Sequence, residues 1–207
     1  MDHREVPGQG RYVAFEGIEG AGKSTIADRV ADQLEISGHS VVRVREPGGT
    51  DVGERIREIL LGGSHAPVPR AEAALFAAAR AQLMQEKVMP ALESGSWVLS
   101  DRSAYSSLAY QAAGRGLGFD EVRSLNDIAL GGLWPDVVVL LRIDPDVGLA
   151  RQEVDDRIGS ESRAFHRRVA DAFDTLADQD PKRFIVVDAA APLPAVVQET
   201  LAALGVG

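Results

Sequence analysis

None of the 207 residues of this chain is cysteine. That excludes disulfide staples, thiolate zinc sites and cysteine nucleophiles together, and it fits a reducing compartment. Long hydrophobic runs are missing as well. The uncharged apolar runs, such as Ala73 to Ala79 and Val137 to Leu141, are far short of the ~20 residues that span a bilayer. The opening MDHREVPGQG lacks the apolar core of a secretory signal, so a soluble, cytoplasmic protein with no membrane partner is expected. Positive charge is in deficit, with 22 Lys and Arg against 31 Asp and Glu, a formal net charge of −9. Such a balance argues against a protein held mainly by nucleic-acid phosphates, but leaves room for a small arginine-rich pocket. Aromatics are few at 5%, beside 45% apolar and 26% charged residues. These values exclude disorder, collagen and coiled coil, and the length suits one domain over 1–207.

No internal repeat or low-complexity tract interrupts the chain. Residues 1–10 are polar, with Pro7, Gly8 and Gly10, and are expected to form a mobile tail. Apolar runs then alternate with helical patterns. Strands are predicted at Arg11–Phe15, Ser40–Val44, Trp97–Ser100, Asp136–Ile143 and Arg183–Val187. Runs such as VVVLL and FIVV are continuous rather than alternating, the pattern of strands buried on both faces of a parallel sheet. Helices are predicted at Ser24–Ser37, Val52–Leu61, Arg70–Ser94, Ser103–Ala113, Phe119–Leu130, Ser160–Asp178 and Leu193–Leu204. Pro90 should bend or restart the long third helix. Strand–helix alternation implies an α/β fold with a parallel sheet and right-handed crossovers.

The segment Gly17-Ile18-Glu19-Gly20-Ala21-Gly22-Lys23-Ser24 fits G-x-x-x-x-G-K-[ST], with an apolar strand before it and an amphipathic helix after it, as a phosphate loop requires. The glycines let backbone N–H groups face a polyphosphate, and the helix N-terminus adds positive partial charge. Lys23 can reach the β and γ phosphates, and the Ser24 hydroxyl can bind Mg²⁺. The string alone says only that a nucleotide binds.

Three further segments narrow the choice. Arg45-Glu46-Pro47-Gly48-Gly49-Thr50 follows the second strand, and an arginine at that carboxyl end points into the ligand crevice. Standing alone, a solvated arginine in a glycine-rich turn is the plainer reading. Phe76 and Arg80 are four apart on one helix face, so a ring and a guanidinium can meet a base. From spacing alone, Phe76 in the core and Arg80 on the surface is the better reading. Trp97 to Ser103 ends a strand in Asp101-Arg102. The acid can hold Mg²⁺ through water and the arginine a second phosphate. Ser106, Ser107, Tyr110 and Gln111 follow at one-turn spacing, open to the same ligand or to a capped surface helix.

In this order F-E-G-I-E-G-A-G-K-S-T, R-E-P-G-G-T, F-A-A-A-R and D-R-S-x-x-S-S-x-A-Y-Q make the chain resemble bacterial thymidylate kinase from about Tyr12 onward. The R-E-P-G-G-T and A-Y-Q stretches are far more specific than the phosphate loop. The resemblance implies the nucleoside monophosphate kinase fold, a three-layer P-loop arrangement with a five-stranded parallel sheet and a lid. It implies transfer of the γ-phosphate of ATP to dTMP for dTTP synthesis, with Mg²⁺, in what is usually a homodimer. It assigns Gly17 to Thr25 to ATP and Ser24 with Asp101 to the metal. Glu19 is matched to the sugar 3′-hydroxyl, Arg45 and Arg102 to the dTMP phosphate, and Phe76 and Arg80 to the thymine base. Ser106 and Ser107 fall near base and phosphate, Tyr110 beside the sugar C2′ with Gln111 one residue on, and Asp188 to Pro192 beside adenine. An ionised phosphate acceptor needs no general base, so Lys23, Arg102 and Mg²⁺ are suitable groups for the transfer.

One departure concerns the lid, expected at about 150–160. Ala150 to Arg157 reads A-R-Q-E-V-D-D-R, short, without the expected glycine and acidic at its centre. Arg151 and Arg157 bracket it and are the candidates for a catalytic arginine, Arg157 first; each could equally form a surface ion pair with Glu153 or Asp155. Another P-loop kinase of a nucleotide or small metabolite stays open, as does a nucleotide-binding switch. A switch should carry a guanine-reading N-K-x-D, which the chain lacks.

Overall fold

A computed structural model describes residues 10–62, 66–151 and 157–206. Nearly all of the tail expected at 1–10, and the acidic centre of the expected lid at 152–156, lie outside the described residues. The strands are β1 (Tyr12–Glu16), β2 (Val41–Arg45), β3 (Trp97–Asp101), β4 (Val137–Arg142) and β5 (Phe184–Asp188). They form one sheet in the order β2-β3-β1-β4-β5, and every pairing is parallel. β1, β2 and β5 are displaced by one residue toward the carboxyl end from the predicted runs, β3 starts as predicted and ends one residue later, and β4 is one residue shorter at each end. In β1, β2, β3 and β5 pairing continues into polar residues at the carboxyl ends. Glu16, Asp101 and Arg142 are all paired in register, and these ends carry the site. Tyr12, Val13, Ala14 and Phe15 of β1 are wholly buried, as a central strand covered by helices on both faces must be.

The helices are α1 (Lys23–Ile36), α2 (Asp51–Leu61), α3 (Pro69–Leu83), α4 (Met89–Glu93), α5 (Ala104–Ser107), α6 (Phe119–Leu130), α7 (Pro145–Arg151), α8 (Arg163–Gln179) and α9 (Leu193–Leu204). The long alanine-rich helix is interrupted by a π-helical stretch, Met84–Val88, just before Pro90. A proline in a helix lacks its N–H and crowds the preceding turn, and a widened turn accommodates both. A second π stretch, Leu108–Gly114, continues α5 and carries Tyr110 and Gln111. Thr50 and Ser162 cap α2 and α8 through their side chains.

Helix α7 was not anticipated from hydrophobic periodicity. Its signal is local: Asp144 Oδ1 accepts the backbone N–H groups of Asp146 and Val147 at 2.9 and 3.3 Å, and Pro145 opens the helix. An aspartate cap followed by proline is a helix start that needs no apolar stripe.

Candidate active site

β1 lies between β3 and β4, and the loop leaving it enters α1 at the carboxyl edge of the sheet, the place where parallel α/β sheets bind ligands. Gly20 has φ 72°, and a Cβ there would lie 1.8 Å from the Gly148 carbonyl oxygen of α7. No side chain fits, so the loop and α7 touch backbone to backbone. Ile18 and Ala21 are buried in the core and pin the loop from below, while Gly22, Ser24 and Thr25 are exposed. The Lys23 ammonium donates to the Ile18 carbonyl at 2.7 Å. Burial pushes Lys23 down to about 8, with Arg102 adding to the effect and Glu19, Asp101 and Glu16 opposing it.

The Ser24 hydroxyl donates to Asp101 Oδ2 at 2.5 Å. Two hard oxygen ligands beside a phosphate loop fit Mg²⁺, which takes one or two protein oxygens and completes its shell with phosphates and water.

Next to the loop lies an open cavity. Seven of the anticipated acceptor residues line it: Glu19, Phe76, Arg102, Ser106, Ser107, Tyr110 and Gln111. Glu19 is the hub. Its Oε1 accepts from the Arg102 guanidinium at 3.0 Å and the Tyr110 hydroxyl at 2.7 Å. Burial raises the Glu19 carboxyl, but the His166 hydrogen bond, the charges of Arg102 and Lys23 and the Tyr110 hydroxyl outweigh it and leave the group well below the usual carboxylate range. Arg102 also donates to the Gly17 carbonyl and Ser106 Oγ and lies 5.0 Å over the Tyr110 ring. Its φ is 73°, the one positive value among described non-glycine residues. Such strain is held by surrounding contacts, here the Arg102 N–H to the Phe15 carbonyl at 3.0 Å and Ser100 Oγ to the Arg102 carbonyl at 2.6 Å.

Four anticipated residues are placed differently. Arg45 ends β2 and pairs with Glu54 at 2.9 Å, half exposed and not in the cavity wall. Arg80, expected to meet the base, is 1% exposed. Its guanidinium binds Glu46 at 2.6 Å, the Ser103 carbonyl, Ser107 Oγ and Asn126, so it stands behind the wall that Glu46 and Ser107 form. Arg157, the first candidate for a catalytic arginine, is paired with groups outside the phosphate loop. It binds Glu72 Oε2 at 2.6 Å and the Leu60 carbonyl at 2.8 Å. Arg151 donates to the Ala189 carbonyl at 3.0 Å, within the stretch matched to the adenine side. In both cases a nearer acceptor satisfies the guanidinium.

Buried carboxylates were the groups sequence reasoning missed. Glu16 Oε1 accepts the Ser103 N–H and hydroxyl and the Ser106 N–H, and Oε2 accepts the Ser106 hydroxyl at 2.6 Å. It therefore fixes the start of α5, whose cap Ser103 directly follows Arg102. Glu72, 1% exposed, gathers Gln111, Arg115 and Arg157. Arg57, which also lines the cavity, donates to the Pro47 carbonyl at 2.8 Å. Glu46 lay inside a motif already singled out; Glu16 could have been suspected as an acid at the end of an apolar strand; Glu72 and Arg57 carry no sequence signal.

Comparison with known proteins decides the family. A family model described as thymidylate kinase matches residues 15–200. The chain belongs to the thymidylate kinase family. Among its relatives, a thymidylate kinase of Bacillus licheniformis is 47% identical over 195 residues, covering 91% of this chain and 92% of the relative. One of Thermomicrobium roseum is 47% identical over 194 residues, covering 92% and 91%. A crystal structure of thymidylate kinase from Ehrlichia chaffeensis superposes with a TM-score of 0.78 at 28% identity, covering 95% of this chain and 99% of that one. The five-stranded parallel sheet and its flanking helices are thus those of a thymidylate kinase.

Proposed function

We propose a division of labour for the family's reaction in which the phosphate loop holds the donor and the Glu19–Arg102–Tyr110 cavity holds the acceptor. As a family member, the chain phosphorylates dTMP to dTDP with ATP, a step of dTTP synthesis. One observation carries the division. Arg102 touches both halves at once, through the Gly17 carbonyl on the loop and Glu19 and Ser106 in the cavity.

The loop N–H groups and Lys23 bind the ATP phosphates, with the α1 N-terminus adding positive potential. Ser24 and Asp101 hold Mg²⁺, which when bound draws charge from the phosphate oxygens. Arg102 holds the dTMP phosphate and keeps two anionic groups in line against their mutual repulsion. The acceptor oxygen is already ionised, so no side chain has to remove a proton before attack. Glu19 receives the sugar hydroxyl, Phe76 the base, and Tyr110 fills the space beside C2′. Ser106, Ser107 and Gln111 complete the polar wall, with Arg80 ordering Ser107. Arg45, at the end of β2 outside the cavity wall and paired with Glu54, is the second candidate for the acceptor phosphate. Arg157 and Arg151 are held by Glu72 and the Ala189 carbonyl, and would have to leave these partners to serve as catalytic arginines.

Among the described residues no helix is long and apolar enough to cross a membrane; family membership supports a cytoplasmic enzyme. A homodimer is supported by family resemblance and by Val52 and Ile59, exposed apolar residues seven apart on α2; sedimentation should show a species of twice the chain mass. The decisive assay mixes protein, ATP and Mg²⁺ with a panel of nucleoside monophosphates. Rapid ADP release is expected with dTMP. Equal turnover across the panel would overturn the assignment of the cavity.

A further inference from the structure

His166 is wholly buried in the first turns of α8, yet its surroundings are not those of a core histidine. Its Nδ1 lies 3.1 Å from Glu19 Oε2, the oxygen that Arg102 and Tyr110 leave unused. Apart from this contact and the backbone of Gly159, neither the ring nitrogens nor Glu19 Oε2 has a polar partner. Phe165 meets the ring edge-on at a centroid distance of 5.6 Å, so that side of the ring is apolar. The short contact to a carboxylate closes only when Nδ1 carries a proton, in the neutral Nδ1–H tautomer or the imidazolium, and the charge of the carboxylate favours the imidazolium. Removing the imidazole would strand a buried carboxylate oxygen, which is costly, and the carboxylate would turn or take in water.

We propose that His166, as an imidazolium, is a positioning residue of the acceptor site: it fixes Glu19 through Oε2, and so makes dTMP binding depend on the seating of α8 against the phosphate loop. This rests on Glu19 being an acceptor-site residue. Two consequences separate it from packing. The effect is specific to the acceptor, because His166 touches Glu19 and not Lys23 or Ser24. It also depends on pH. The Glu19 hydrogen bond raises the His166 pKa, against burial, with Glu19's charge, Gly159 and Glu161 adding to the rise. The imidazolium therefore persists above the ordinary value of about 6.5 and is lost as pH climbs through the raised one. The other charged or titratable groups around this contact are Arg102 from the end of β3, Tyr110 from the π stretch and Lys23 from α1. Glu161, before α8, is itself paired with Arg115.

The experiment compares wild type, His166→Phe, His166→Asn, Glu19→Gln and the Glu19→Gln/His166→Phe double variant in steady-state kinetics from pH 6 to 9, with calorimetry of dTMP binding. Asparagine keeps an N–H near the Nδ1 position without titrating; phenylalanine keeps the ring. His166→Phe should raise the dTMP KM by about tenfold to a hundredfold, the range for a lost hydrogen bond to a charged group, with the ATP KM unchanged. His166→Asn should recover most of that loss and remove the part of the alkaline fall in kcat/KM for dTMP that belongs to His166, while any contribution from Lys23 persists. Glu19→Gln should weaken dTMP in wild type and add little on top of His166→Phe. Where the variants fold poorly, the imidazole NMR signal of His166 in the wild-type protein decides instead, with a pKa above the ordinary histidine value that shifts when dTMP is added. A dTMP KM and pH profile unchanged in both His166 variants, or a normal, dTMP-insensitive titration, overturns the proposal. If Glu19→Gln alone leaves dTMP binding intact, the reading of the acceptor site fails, whatever His166 does.

Discussion

Arg102 combines two features that separate in a pair of substitutions. Its side chain joins the two halves of the site, and its backbone sits at φ 73°. Both Arg102→Ala and Arg102→Gly remove the ion pair with Glu19 and the contact with Tyr110. Both partners of that ion pair are mostly buried, at 19% and 13% side-chain exposure, so breaking it costs toward the ~3–5 kcal/mol of a buried pair, reduced by the remaining solvent and by His166 and Tyr110. This loss is common to the two variants and cancels in their comparison. What remains is the backbone. A non-glycine residue in the left-handed region costs about 1–2 kcal/mol, and glycine there escapes that cost. Glycine also loses more freedom on folding, a penalty of about 0.4–1 kcal/mol against alanine. The difference leaves Arg102→Gly the more stable by roughly 0.5–1 kcal/mol, or a melting temperature higher by about 1–4 °C for a chain of this size. Thermal and urea melts of the two variants in parallel measure it. Both should weaken dTMP by about tenfold to a hundredfold while affecting thymidine far less, since a charge-assisted hydrogen bond to phosphate is lost. An alanine variant as stable as the glycine one would refute the strain argument. Equal losses for dTMP and thymidine would refute the phosphate assignment.

Lys23→Ala should nearly abolish ADP formation while calorimetry still detects dTMP, because Lys23 belongs to the donor half. Gly148→Ala should lower stability by about 1–3 kcal/mol, as overpacking does, since its Cβ would fall 2.6 Å from the Glu19 carbonyl oxygen; unchanged melting would mean that α7 and the loop do not meet. Tyr110→Ala should narrow the preference for dTMP over its ribose counterpart, mainly through better use of the ribose form, and an unchanged ratio of kcat/KM values would remove Tyr110 from the sugar. Glu72 is held below the ordinary carboxylate range: burial raises it, but hydrogen bonds from Arg115, Gln111 and Arg157 outweigh that. Its stabilisation is therefore present above the unfolded pKa and lost as pH falls through the depressed folded one. Urea midpoints between pH 7 and pH 3 should fall more steeply for wild type than for Glu72→Gln.

The sequence by itself determined the features whose signals are local. Apolar continuity marked the strands of a parallel sheet, and Gly17 to Ser24 between a strand and a helix marked the phosphate loop. Strand ends were displaced by up to one residue, mostly because pairing runs into polar ends that hydrophobicity does not see. The cap Asp144 with Pro145 was equally local and would have announced α7. Tertiary structure alone decided what each charged side chain is paired with. Arg45, Arg80, Arg102, Arg151 and Arg157 are alike in sequence, and only Arg102 lines the cavity. The others are drawn to Glu54, Glu46, the Ala189 carbonyl and Glu72. A guanidinium goes to the acceptor that the packed backbone brings within reach, and those acceptors come from elements far apart in the chain. His166 shows the same limit from the other side. On α8 it lies among Phe165, Val169 and Phe173 and reads as core, until folding places a carboxylate 147 positions away within 3.1 Å of its ring. Spacing encodes which residues share a helix face; only the closed fold sets which charge faces which.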